Sequence, residues 1–510
     1  MMPFFLSLVP ILLILFLMIK QRWGAARAGS AGYLSALVIA IFYFGAGPEL
    51  LAYAHANALL LALDVLLIIW AAFLFYRVCD EAGAIRTIGR ALPGLTDDRG
   101  MQAILIGWVF ASFLQGVGGF GVPVAVTAPI LIGLGLSPLA AVVIPSIGHG
   151  WAVNFGSLGS SFQALLNSTN MTAADLAPAA AIFLGLACLI TGPMVAHAAG
   201  GWAAVRRLLI PALIIGLVMA ITQYFVAVSG LWNIAAFSAA IVGLLVSIPT
   251  AFAVRRKNRN PINLDRKDLL IAVSGYALLI LIIVVGEFIP FIKYILGRIV
   301  FQVQFPETAT SLGFITPAAL SRKISLFGHT GSLLFYAAFF SYIVYRLAGK
   351  YQPGAVQRIF NGTLQRVMSS SVSILSMVAM AVIMERSGMT SALAQGLASS
   401  LTTLFPIITP WIGAIGAFIT GSNTNSNLIF GALQKQTAEL LGFSVAVILA
   451  AQTAGGSFGS VTAPTKIVVG TSTAGLAGQE GEVLRRLIGY IAFMISIISL
   501  LTVFGIIITQ

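Results

Sequence analysis

Two stretches decide how this chain reads: Phe113-Leu114-Gln115-Gly116-Val117-Gly118-Gly119-Phe120-Gly121-Val122-Pro123 and Gly421-Ser422-Asn423-Thr424-Asn425-Ser426-Asn427. Both sit between long apolar runs, yet neither suits a continuous lipid-facing helix. Glycine and proline weaken helix, and asparagine is costly in hydrocarbon. Irregular backbone at membrane depth persists only where protein buries it or where it lines an aqueous cavity. Interruptions at corresponding places in two halves of a chain point to a transport site.

The surroundings are those of a membrane protein. Among 510 residues, 28 are Lys or Arg and 15 are Asp or Glu, so 8% are charged and 59% are hydrophobic. A soluble domain carries roughly 25% charge, and this chain lacks the residues for such a shell. Apolar runs near the ~20 residues that span a bilayer recur along it. They begin at about 2–19, 30–47, 55–76 and 101–115, and resume near 177–198, 208–228, 231–250 and 269–286. The second half adds 331–347, 366–384, 401–419 and 487–508. The expectation is an all-α polytopic membrane protein with about 12–14 transmembrane segments, carrying broken helices or re-entrant hairpins.

The net charge of +13 does not point to nucleic acid, because the basic residues lie in short loops between apolar spans. They read as orientation signals. Lys20/Arg22/Arg27, Arg77/Arg86/Arg90/Arg99, Arg206/Arg207 and the run Arg255-Arg256-Lys257-Asn258-Arg259 are expected to face the cytoplasm. Arg346/Lys350/Arg358 and Arg485/Arg486 join them, which leaves 287–330 and both termini outside. Met1–Ile19 has no basic residue ahead of it and reads as a retained first helix rather than a signal peptide. Cys79 and Cys188 are too few for a disulfide framework.

The halves look related. Gly83, Phe113 and Gly116 recur as Gly388, Phe418 and Gly421, and Gly135, Ser137 and Gly148 recur as Gly442, Ser444 and Gly455. Phe155-Gly156-Ser157 has its counterpart in Phe458-Gly459-Ser460. The loop after 55–76 is rich in Arg, whereas the one after 366–384 holds only Glu385 and Arg386, which are assigned to the interface. Paired spans that cross in opposite directions make an inverted-topology repeat. The expected division is residues 1–29 as an N-terminal helix and loop, 30–200 as the first repeat, 201–330 as central connecting spans with an external loop, and 331–510 as the second repeat.

Broken helices present free N–H groups at their new N-termini, where the dipole favours an anion. Hydroxyls and amides nearby can hydrogen-bond a carboxylate and an adjacent hydroxyl. The candidate binding residues are Gln115, Gly116, Gly119, Phe120 and Gly121 at one tip and Ser422, Asn423, Thr424 and Asn427 at the other. The second element of each half adds His149, Asn154, Ser157, Ser160, Ser161 and Gln163, then Gln452, Thr453, Ser457, Ser460, Thr462, Thr465 and Lys466. Asp64 lies within Leu59–Leu67, and an intramembrane carboxylate is a functional candidate by default. Asp64 and His149 are the candidate proton carriers. An enzyme is not expected: the four histidines, 55, 149, 197 and 329, show no metal-binding spacing, and no phosphate-binding Gly-Lys loop occurs. No cofactor is called for.

At these motifs the chain resembles the bacterial L-lactate permease family. The resemblance rests on Phe-Leu-x-Gly-x-x-Gly-Phe-Gly-x-Pro-Val-Ala at 113–125 and Gly-Leu-Gly-Leu-Ser-Pro-Leu at 133–139. It continues through Thr-Gly-Ser-x-Thr-x-Ser-Asn at 420–427, Gly-Ala-Leu-Gln at 431–434 and Ala-Gly-Gly at 454–456. It implies uptake of L-lactate and related 2-hydroxymonocarboxylates such as glycolate across a bacterial or archaeal cell membrane, usually as proton symport. It also implies elevator-like movement and a dimeric scaffold. Two positions depart from the family pattern: Gln115 stands where glutamate is common, and Asn423 where aspartate is common. An amide carries no titrating proton. Ser422-Asn423-Thr424 in turn looks like the tips of sodium-coupled carboxylate transporters, where such groups ligate sodium. Proton coupling through Asp64 or His149, sodium coupling at the tips, and uncoupled anion movement therefore stay open at this point.

Overall fold

The computed structural model describes residues 2–21, 23–119, 121–254, 266–321, 323–477 and 479–509. The basic run Arg255–Arg259 lies outside the described residues, as do Arg22 and Phe120. The fold is mostly helical, and ten helical runs among the described residues are long and apolar enough to cross a membrane. One of them, Ala173–Val254, is an 82-residue stretch. It is interrupted at Gly200 and Gly201 and again at Gly230, where φ is 89°. That stretch therefore holds the three segments expected near 177–198, 208–228 and 231–250.

Two long helices form the frame. Pro48–Glu81 and Ala355–Arg386 pack side by side, and Trp70 Nε1 donates to Ser371 Oγ across 3.0 Å near the middle of the pair. At one end charges gather: Arg358 pairs with Glu81 at 2.6 Å, and Lys350 with Asp268 at 2.6 Å. At the other end lies a feature that helix periodicity did not predict. The stretch expected as an external loop contains a short helix, Pro290–Leu296, followed by an antiparallel ribbon. Its ladders pair Val300–Phe301 with Ile324–Ser325, Gln304–Phe305 with Ala319–Leu320, and Thr308–Ala309 with Ile315–Thr316. The ribbon reaches back over the helix ends. Ser311 N donates to Gly45 O at 3.1 Å, Thr316 Oγ1 donates to Arg386 O at 3.0 Å, and Phe305 packs edge-on against Tyr53.

Arg386, at the end of its helix, is buried beneath the ribbon, its guanidinium 5.2 Å from the centre of the Phe305 ring.

The same backbone devices serve both halves. Gly83 and Gly388 are both left-handed, with φ of 74° and 87°, and each starts a new helix after a long one ends. L-residues with a Cβ avoid that conformation. A Cβ at Gly148 would stand 1.9 Å from the Gly107 carbonyl oxygen, and one at Gly455 would stand 1.9 Å from that of Pro410. In both places two helices cross backbone to backbone, which only a small residue permits. Two hydrophobic cores result. One gathers Trp108, Trp151, Phe155 and Phe237, and the other Ile14, Val65, Phe73 and Ile383. The Asn423–Leu441 helix belongs to both, giving Leu428 and Phe430 to the second and Ala438 to the first.

Candidate functional site

The first interrupted region is a helix, a break and a second helix. Ala103–Phe110 is wound in the wider π form and continues as the α-helix Ala111–Val117. A π segment inside a helix is a frequent companion of functional sites. The chain resumes at Val122 after Gly121, whose φ is 87°. Opposite this break Ser157 and Leu158 are left-handed, with φ of 48° and 54°, followed by Gly159 at 81°. Such non-glycine residues cost on the order of 1–3 kcal/mol each and collect at functional sites. In the second half, Gly421 is left-handed and Ser422 caps the Asn423–Leu441 helix, accepting from Asn425 N.

Thr453, on the Val445–Val461 helix, is the centre of the polar network. Its hydroxyl donates to Asn154 Oδ1 at 2.6 Å and accepts from Asn427 Nδ2 at 2.9 Å and Asn423 Nδ2 at 3.1 Å. Both lone pairs and the proton are thereby used. Asn423 Nδ2 also donates to Ser457 Oγ, and Asn427 Nδ2 to Ser161 O. The Ser161 and Thr424 hydroxyls are 3.0 Å apart. The tip of the second half is thus tied to the Ser160–Thr169 helix that follows the strained segment of the first. Three buried polar atoms of this network find no hydrogen-bond partner among the described residues, Asn154 Nδ2, Asn423 Oδ1 and Asn427 Oδ1, and outside it the same holds for Gln115 Oε1 and His149 Nε2. A buried polar atom without a partner costs about 1–3 kcal/mol, which a ligand group or a water supplying the missing bond would relieve.

The other sequence candidates fall in distinct places. Gly119 faces Ser157 and accommodates it, since a Cβ there would be 1.9 Å from Ser157 Oγ. Gly116 is turned toward the Phe237 backbone, so it serves helix packing. Gly121 lies near Val469. His149 donates from Nδ1 to Pro145 O at 2.6 Å, which leaves Nε2 as a bare acceptor. Lys466 is only half-buried and donates to Ser460 Oγ at 3.1 Å.

Asp64 stands apart from this network but one helix away. Its Oδ2 accepts from Gln163 Nε2 and from Asn167 Nδ2 at 2.8 Å, and its Oδ1 lies 2.8 Å from His329 Nε2. Gly331 N donates to His329 Nδ1, so the ring proton of neutral His329 is on Nε2 and is donated to the carboxylate. His329 and Asn167 were not among the sequence candidates. His329 was legible only as one of four histidines, because it lies 265 positions from its partner.

Two polar cavities approach the network from opposite directions. One, of about 680 Å³, is bordered by Arg27, Ser373, Thr420, Ser422, Asn425 and Thr465. It lies at the start of the Ala25–Phe42 helix, away from the ribbon. The other, of about 750 Å³, lies under the ribbon and reaches Asp64, Gln163 and His329, with Lys323 and Ser321 on its wall. Asn154, Asn423 and Thr453 line neither of these two.

A profile of the L-lactate permease family matches residues 3–509. The chain belongs to that family. Curated permeases of the family align along almost its full length. The L-lactate permease of Bacillus subtilis is 28% identical over 97% of this chain and 94% of that protein. The glycolate permease GlcA of Escherichia coli is 26% identical, with the same two coverages. Among solved structures, MtrF of Neisseria gonorrhoeae superposes with a TM-score of 0.51 at 13% identity, covering 96% of each chain. The YdaH transporter of Alcanivorax borkumensis gives 0.50 at 15% identity, covering 87% of this chain and 85% of that one. At such identities the likeness is one of fold. This permease-family member is a multi-pass protein of the bacterial cell membrane and a transporter.

Proposed function

We propose that this chain is a secondary active transporter importing L-lactate and related small 2-hydroxymonocarboxylates, glycolate among them. The observation that carries the reading is the buried cluster centred on Thr453, in which both halves meet and in which Asn154 Nδ2, Asn423 Oδ1 and Asn427 Oδ1 have no hydrogen-bond partner among the described residues. A 2-hydroxy acid offers a carboxylate to donors such as Asn154 Nδ2 and a hydroxyl proton to acceptors such as Asn423 Oδ1. The two cavities on opposite sides support alternating access. Arg27 borders one of them and would attract the carboxylate. Recurrence of the glycine crossings in residues 30–200 and 331–510 supports an inverted repeat; the elevator-like displacement and dimeric scaffold are part of the proposal through the family resemblance alone.

For coupling, Asp64 with His329 supports a proton, since both sit at the floor of an open cavity. A second reading rests on a different observation. The unpartnered Asn423 and Asn427 oxygens are hard donors of the kind a sodium ion takes, together with Ser422 and Thr424.

The test is labelled L-lactate uptake into proteoliposomes under equal imposed proton or sodium gradients. Proton-driven accumulation is expected. Accumulation driven only by sodium moves the coupling to the Asn423 tip, and none under either gradient overturns coupled lactate transport.

A further inference from the structure

A third cavity, of about 570 Å³, lies far from the polar network, against the tight turn at Gly200–Gly201 and the start of the Glu480–Thr509 helix. Its wall is apolar: Ile190, Pro193, Met194, Val205 and Phe493. Its rim is basic and aromatic, with Arg485, Arg486, His197, Tyr490 and Trp202. His197 Nδ1 is 2.8 Å from the Tyr490 hydroxyl, and the Trp202 ring stands edge-on to His197 with centroids 5.1 Å apart. Trp202 is 69% exposed and Phe493 55%, so the groove opens sideways on the lipid-facing surface. Neither arginine forms an ion pair among the described residues.

We infer that this groove holds one anionic diacyl phospholipid, its phosphate on Arg485 and Arg486 and an acyl chain along Met194 and Phe493. Three features lead to that occupant. Adjacent unpaired guanidiniums attract a phosphodiester and repel a cationic headgroup. Basic pockets between helices at the cytoplasmic side are sites for acidic lipid headgroups, each basic residue adding on the order of 1 kcal/mol. Tryptophan and tyrosine beside them mark headgroup depth, with the apolar wall continuing toward the bilayer core. A soluble phosphate would use the rim and leave that wall bare.

The test uses the full chain purified in mild detergent, with thermal unfolding followed as lipid is added. Phosphatidylglycerol is expected to raise the melting temperature saturably, while phosphatidylcholine and glycerol phosphate leave it unchanged. Arg485→Gln with Arg486→Gln should raise the half-saturating lipid concentration about tenfold or more. Met194→Trp, which fills the groove but keeps both arginines, should weaken the response as well. Native mass spectrometry of the unsubstituted protein from mixed-lipid nanodiscs should show the acidic lipid retained preferentially, independently of how the variants fold. An equal response to phosphatidylcholine, equal retention of both lipids, or an unchanged response in both variants would overturn the assignment.

Discussion

The Thr453 hydroxyl donates to Asn154 Oδ1 across 2.6 Å, although the residues are 299 positions apart. This bond joins the two halves of the chain at their most polar point, and the same oxygen accepts from Asn423 and Asn427. No single-residue reading of either half contains that arrangement.

Replacing this hydroxyl should therefore disturb more than one partner. Thr453→Val keeps the shape but leaves three amide groups without their shared partner, each costing about 1–3 kcal/mol. Saturable L-lactate uptake is expected to fall at least tenfold, with Thr453→Ser retaining most of it. Uptake kinetics on protein shown to be monodisperse decide the matter. Wild-type kinetics in the valine variant would remove Thr453 from the site.

Asn423→Ala deletes both the donor to Thr453 and the unpartnered Oδ1. It should largely abolish saturable uptake while folded protein remains in the membrane. Unchanged transport would exclude the second tip from binding.

Asp64→Asn removes the group that His329 meets, and His329→Gln keeps a donor while removing the titrating ring. Both should lose accumulation driven by a proton gradient yet retain counterflow exchange of lactate. Counterflow separates coupling from binding, so loss of both activities would assign the pair a structural role.

Gly148→Ala and Gly455→Ala each drive a methyl group into a backbone carbonyl that cannot swing aside. Overpacking of this kind costs about 1–3 kcal/mol. Both variants should melt several degrees below the unsubstituted protein in a thermal unfolding assay. Gly481→Ala, where a Cβ meets nothing within 4 Å, should not.

Much of the architecture was written locally. Hydropathy located the membrane-crossing helices because a span must be apolar along its whole length, whatever it packs against. The glycine-rich and asparagine-rich interruptions stood out for the same reason: at membrane depth their composition suits only protein-lined surroundings. The ribbon over 300–325 escaped, since its paired strands are two residues long and show no alternation to read. Gly116 was read with its neighbours as part of a tip, yet its place is decided by Phe237, on another helix.

By itself, then, the sequence determined that this is a polytopic helical protein with two polar interruptions, and its motifs carried the family. Tertiary structure alone decided which polar atoms meet. It placed Thr453 between Asn154 and two asparagines, gave Asp64 a histidine 265 positions away, and covered Arg386 with an aromatic ring. The physical reason is range. Apolarity and helix breaking act over one or two turns, while a hydrogen bond of about 3 Å depends on how distant helices cross.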